Sequence, residues 1–319
     1  MKNISLCFTV VFVLALFASC EKELEYRGEY VDPIITLTSF NDIYDTLYCN
    51  ISKTNFFLED NAVWIIDNPS VRYSVNGGEW QDMVSAGVSE TGYSEQFISN
   101  YVIQSNDEVA LEVSHPDYPT ATSTQNAPVP AKITVEKLEK VTPYIYSATA
   151  TFYPYEGETD EELLYQFSIT YVFTMEALDH PLQWTNSRYL HMFTSTDPLT
   201  LHLYGDDHSF FTSNISEGDT VLYFYASLIT EPYEFTFEID ISEDHEGYYD
   251  WENWDYRVDK VEAYLAVVPE SYFKYIDTKY SSLYESMFSE KVQLYNNIEG
   301  GVGNFIIRSH AVDSLSIGE

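Results

Sequence analysis

Apolar and polar residues alternate over short stretches along most of the chain, and turn residues separate the stretches. Alternation with a period of two is the signature of a half-buried strand. In residues 108–113 it puts Val109, Leu111 and Val113 on one face. In residues 199–204 it puts Leu199, Leu201 and Leu203 opposite Thr200, His202 and Tyr204. Residues 71–75 and Glu79-Trp80 flank Asn76-Gly77-Gly78, which predicts a hairpin because Asn-Gly supplies the positive φ of a tight turn. Residues 221–229 and 233–241, rich in aromatic and β-branched side chains, are further strand candidates. One segment has a different period. Tyr272, Ile276, Tyr280, Leu283 and Met287 recur at helical spacing behind Pro269 and Glu270, which suit a helix start. That predicts a helix at about 270–288 docked on a sheet. No period of 20 to 50 residues repeats, so a solenoid or propeller is not expected. Ala127-Pro128-Val129-Pro130-Ala131 reads as a stiff connector. The expected fold is mostly β: two β-sandwich-like domains, residues 31–130 and 131–319, the second carrying the helix.

The first residues follow another rule. Lys2 precedes a mostly apolar run from Ile4 to Leu16, too short for an ordinary membrane span and suited to a secretory signal. Leu16-Phe17-Ala18-Ser19-Cys20 resembles the lipobox of bacterial lipoproteins, although Phe17 stands where Leu is usual. Residues 1–19 are therefore expected to be a lipoprotein signal peptide, Cys20 the lipidated residue, and residues 20–30 a lipidated tether. The acidic run Glu21-Lys22-Glu23-Leu24-Glu25 resembles the tag that sends some Bacteroidota lipoproteins to the outer face of the outer membrane; a solvated tether is the plainer alternative. Of the three cysteines, Cys7 leaves with the signal and Cys20 carries lipid, so Cys49 has no partner for a disulfide inside the chain. In a strand-like setting it is expected to be a buried, inert thiol.

The C-terminal quarter is distinctive. A strand, Val261-Glu262-Ala263-Tyr264-Leu265, leads through Pro269-Glu270-Ser271-Tyr272-Phe273-Lys274-Tyr275 to Asn296-Asn297-Ile298-Glu299-Gly300-Gly301-Val302-Gly303-Asn304-Phe305. This resembles the closing signature of the DUF4249 family of Bacteroidota outer-membrane lipoproteins, with Lys291 where that family commonly has proline. Residues 108–113 and Ala121-Thr122-Ser123-Thr124 resemble the end of its first domain. The resemblance implies an Ig-like or transthyretin-like N-terminal module and a place beside TonB-dependent outer-membrane receptors. It implies no catalytic residues. The glycines at 300, 301 and 303 read as turn residues between two strands, with a ligand-contacting backbone as the alternative.

Charge narrows the partners. Fifteen Lys and Arg against 51 Asp and Glu give a net charge of −36, which excludes a nucleic-acid binder working through a broad basic face. Disorder does not follow, because apolar residues make up 45% and aromatics 16%. Between residues 141 and 256 there are 22 acids and one base, Arg188. Within that stretch, Tyr248, Tyr249, Trp251 and Trp254 interleave with Asp250, Glu252 and Asp255. Aromatic faces and carboxylates in this pattern suit a hydroxyl-rich or cationic ligand; the alternative is a solvated loop whose aromatics cover a sheet edge. Calcium could use the same oxygens, but the spacing is not that of an EF-hand, and no cofactor is expected. His202, Asp206, Asp207 and His208 form a weak metal cluster that Gly-Asp-Asp turn chemistry explains equally well. No nucleophile elbow, zinc-binding H-E-x-x-H or C-x-x-C is present.

These readings converge on a non-enzymatic lipoprotein, anchored by lipid in the outer membrane and facing the cell exterior. It would serve a TonB-dependent uptake system as accessory or ligand-binding component. A structural or adhesive surface protein is the alternative, and a carboxylate-dependent glycan hydrolase a remote one, since 51 acids bring some pair together by chance.

Overall fold

The computed structural model describes residues 32–55, 63–142, 145–157, 161–177, 183–190, 193–194, 199, 221–240, 254–283 and 294–316. Strands dominate. Those of the N-terminal part are β1 (Ile35–Asp42), β2 (Thr46–Lys53), β3 (Ser70–Val75), β4 (Gln81–Asp82), β5 (Val84–Val88), β6 (Glu95–Val102), β7 (Glu108–His115) and β8 (Tyr118–Asn126). There follow β9 (Ile133–Lys140), β10 (Ile145–Phe152), β11 (Leu163–Ala177), β12 (Gln183–Leu190), β13 (Phe193–Thr194), β14 (Leu222–Tyr225) and β15 (Tyr233–Asp240). The chain closes with β16 (Trp254–Pro269), the helix α1 (Glu270–Leu283) and β17 (Val302–Ser316).

The expected alternation is visible strand by strand. In β1, Ile35, Leu37, Ser39 and Asn41 are buried, and the residues between them are half-buried. In β7, Val109, Leu111 and Val113 are buried as their spacing requires. The 76–78 hairpin forms with φ of 53° at Asn76 and 65° at Gly77, joining β3 to β4. One expectation is corrected. The stretch 221–229 is not all strand: β14 ends at Tyr225, and a 3-10 turn at Ala226–Leu228 follows, closed by the Ile229 amide on the Ala226 carbonyl. The helix starts at Glu270 and is described as far as Leu283; residues 284–288 of the predicted helix lie outside the described residues.

A nine-stranded sheet runs in the order β12-β11-β16-β17-β1-β2-β6-β5, with β14 added beside β11. Two four-stranded sheets accompany it, β4-β3-β7-β8 and β13-β15-β10-β9. The small sheets give two apolar cores. Leu37, Leu47, Tyr73, Leu111 and Phe97 anchor the first. Phe152, Phe167, Phe224, Phe235 and Phe237 crowd the second, with ring centroids 5.2–5.9 Å apart. These inter-ring distances lie in the favourable range for aromatic pairs.

Strand β17 belongs to both cores. Phe305 and Ile307 enter the first, whereas Ala311 and Leu315 pack against the second. It pairs in parallel with β1, from Thr36↔Val302 to Asp42↔Arg308, and antiparallel with β16 along its other half. Ile306 points to the opposite face, where Tyr272 and Ile276 of α1 pack on it with Leu164, Tyr223 and Val268. The helix therefore lies on the face of the long sheet away from the two cores.

Candidate functional site

The alternation that buries the odd residues of β1 turns Phe40 and Asp42 to the helix-bearing face. The parallel register sets Arg308 of β17 directly beside Asp42. The guanidinium donates from Nε to Asp42 Oδ1 at 2.5 Å and from Nη2 to Oδ2 at 3.1 Å, a two-pronged pair. Burial disfavours the Arg308 charge, but the bonds and charge of Asp42 more than offset it, and its pKa is raised. Tyr48 of β2 stands on the same face, held in place because Asn41 Oδ1 accepts from its amide and Ser39 Oγ donates to its carbonyl. Partial burial raises the pKa of its phenol.

Helix α1 supplies the other wall. Tyr272, Tyr275, Ile276 and Lys279 recur at i, i+3, i+4 and i+7, one face of a helix. The position of the helix is fixed at its start. The Glu270 amide donates to the Glu162 carbonyl, and the Ser271 amide donates to the Glu161 carboxyl. Burial nevertheless pushes the Glu161 carboxyl up. Beyond the helix middle, Thr278 Oγ1 donates to the Lys274 and Tyr275 carbonyls and accepts from the Tyr295 amide. Phe40 meets Tyr272 edge-on at 6.2 Å and Tyr275 at 5.6 Å between ring centroids. Between the helix and the sheet these residues, with Asp45 from the turn after β1, enclose a cavity of about 300 Å³ open to solvent. That lies at the small end of ligand pockets, which are generally apolar with a few placed polar groups.

The glycine-rich signature is structural. The Asn297 side chain donates to the Phe305 carbonyl and accepts from the Phe305 amide. Asn296 bonds the carbonyls of Ile298 and Gly301, and Asn304 bonds the Tyr295 carbonyl. Glu299 and Thr122 exchange backbone hydrogen bonds. Gly300 has a φ of 72° and Gly303 of 124°, and a Cβ at either would fall on a backbone carbonyl oxygen, of Thr120 and Leu37 respectively. The segment thus fastens the last strand to β1 and β8, and its glycines are explained by close backbone approach.

Most residues singled out in the sequence fall outside the described ones. Cys20, His202, Asp206, Asp207 and His208 are outside the described residues, as are Tyr248, Tyr249, Asp250, Trp251 and Glu252. Trp254 and Asp255 open β16, opposite Ala177 and Glu176 of β11. Val267, whose partner Ser309 adjoins Arg308, stands thirteen positions along β16 from Trp254, or ~40 Å of chain. Among the described residues no group of three or more His, Cys, Asp or Glu is placed to hold a metal ion. None of their helices is long and apolar enough to cross a membrane. Cys49 is buried, with its thiol pushed up to about 12, as an inert core thiol should be. The cavity residues gave no motif. The nearest signal was an Asp and an Arg on the outward faces of otherwise apolar strands, and only the register of β1 on β17 unites them.

The family model described as a domain of unknown function, DUF4249, matches residues 21–313. No protein of curated function matches the chain in sequence. Among solved structures, a crystal structure of a Salmonella alpha-2-macroglobulin mutant aligns with 10% identity and a TM-score of 0.21. The alignment covers 91% of this chain and 15% of that one, so the chain spans about a seventh of its length.

Proposed function

Because the chain belongs to the DUF4249 family, whose members share no described activity, we propose a function from its own chemistry: a lipid-anchored, non-enzymatic binding protein of the outer membrane, serving a TonB-dependent uptake system from the cell exterior. The observation that carries the binding reading is the cavity under α1. Its walls offer aromatic faces, phenol hydroxyls and a guanidinium edge, the materials of recognition. Its most intimate charged pair, Asp42 with Arg308, is locked in a two-pronged bond rather than poised for proton transfer. The lipobox ending in Cys20 and the acidic run behind it support the anchor and its outward face.

Metabolic labelling with a fatty-acid probe tests the anchor. The native chain takes up label and partitions into detergent, and Cys20→Ala does neither. Label retained by Cys20→Ala, or absent from the native chain, rejects the anchored reading. An adhesive surface role is the second reading. It is favoured by Val84, Val88, Ile98 and Val102, which leave exposed apolar side chains on β5 and β6. Loss of cell attachment on deletion, with an empty cavity, would select it.

A further inference from the structure

The lining of the cavity defines what fits. Tyr48, Tyr272 and Tyr275 make no hydrogen bond through their hydroxyls to any described residue. Arg308 commits Nε and Nη2 to Asp42, which leaves Nη1 without a partner among the described residues. A purely apolar guest would cover these groups without satisfying them, at a cost for each. A bare anion would face Asp42 and Asp45 in a chain of net charge −36, and its natural host, Arg308, is already neutralised. A cation would face Arg308 and Lys279. What remains is a neutral ring with an apolar face and several hydroxyls. Its C–H face can lie on Phe40 and Tyr275, whose rings stand 5.6 Å apart at the cavity wall. Its hydroxyls can bond the phenols, the free edge of Arg308 and the carboxylate oxygens. The volume of about 300 Å³ admits a small ligand of one or two rings.

Resting on the binding reading above, we infer that this cavity takes a neutral sugar unit, with Tyr275 as stacking wall and Tyr48 and Arg308 as hydroxyl partners. Phenol and guanidinium groups that await hydroxyls give selectivity, because a ligand lacking them leaves buried polar groups unpaired.

The test uses the full lipidated chain in an amine-oxide detergent, since glycoside detergents would compete. Glucose, galactose, xylose, N-acetylglucosamine, maltose and cellobiose are titrated by saturation-transfer NMR, with glucuronate and spermidine as charged comparators. At least one neutral sugar should bind better than both comparators. Tyr275→Ala should weaken it by ~10-fold or more, as loss of a contact wall does. Tyr48→Phe, which keeps the shape and removes one hydroxyl, should weaken it by ~3- to 10-fold, the worth of one hydrogen bond. Circular dichroism verifies folding, and if Tyr275→Ala fails to fold, the Tyr48→Phe comparison decides. Silence from every neutral sugar, preference for glucuronate or spermidine, or binding indifferent to the substitutions overturns the inference. Fatty-acid labelling at Cys20 is independent of these outcomes, so an empty cavity in a labelled chain rejects the sugar and leaves the anchor standing.

Discussion

At Gly303 the backbone of β17 passes so close to Leu37 that no side chain fits, and φ stands at 124°. Gly303→Ala should lower stability by at least about 3 kcal/mol, since both strain and overlap oppose the new methyl. Urea unfolding measures it, and a loss under half that would contradict the close approach. Glu262 makes a second residue-scale case. It is buried among Lys260, Thr170 and Tyr264, all of which donate to its carboxylate. The Lys260 bond leads in holding its pKa below the ordinary 4.5, against the opposing effect of desolvation. A carboxyl with a depressed native pKa contributes stability above the unfolded value and loses it as pH falls through the native value. Glu262→Gln should therefore flatten the loss of stability below about pH 4.5, read from thermal melts across pH. An acid limb as steep as that of the native chain would contradict this.

At the scale of elements, local pattern and long-range register part company. The face of β7 and the 76–78 hairpin were legible, because period two and Asn-Gly are local signals. So was the start of α1, with Tyr272 and Ile276 as its packing residues. The reach of β17 was not. Its Arg308 meets Asp42 across 266 residues of sequence, and nothing local records a parallel pairing at that distance. The cavity shared this fate: Phe40, Tyr48 and Arg308 stand on three strands whose neighbourhood exists only after folding. The aromatic run at 248–256, legible as composition, mostly lies outside the described residues. The signature glycines at 300, 301 and 303 read as turn residues, but only Gly300 and Gly303 have positive φ, Gly303 lies inside β17, and the two are needed because the backbone crowds β8 and β1. Since β17 completes both cores, deleting residues 302–319 should unfold the chain as a whole. Circular dichroism of the truncated chain checks this: retention of a cooperative melt would show that β1 and β16 close without it.

For the whole molecule, charge and architecture fit together. The long sheet uses one face for two apolar cores and gives the other to α1, with a small cavity at the helix edge. The net charge of −36 disfavours adhesion to anionic lipid through a basic patch, and the proposed lipid at Cys20 would attach the chain without one. The sandwich-like scaffold itself is neutral as to function. The central claim is that this body serves a receptor rather than acting alone. Purification of the lipidated chain from outer membranes in mild detergent, followed by mass spectrometry, tests it most directly. A TonB-dependent receptor should co-purify in stoichiometric amount and be lost with Cys20→Ala. A chain that emerges alone from intact membranes would contradict the account.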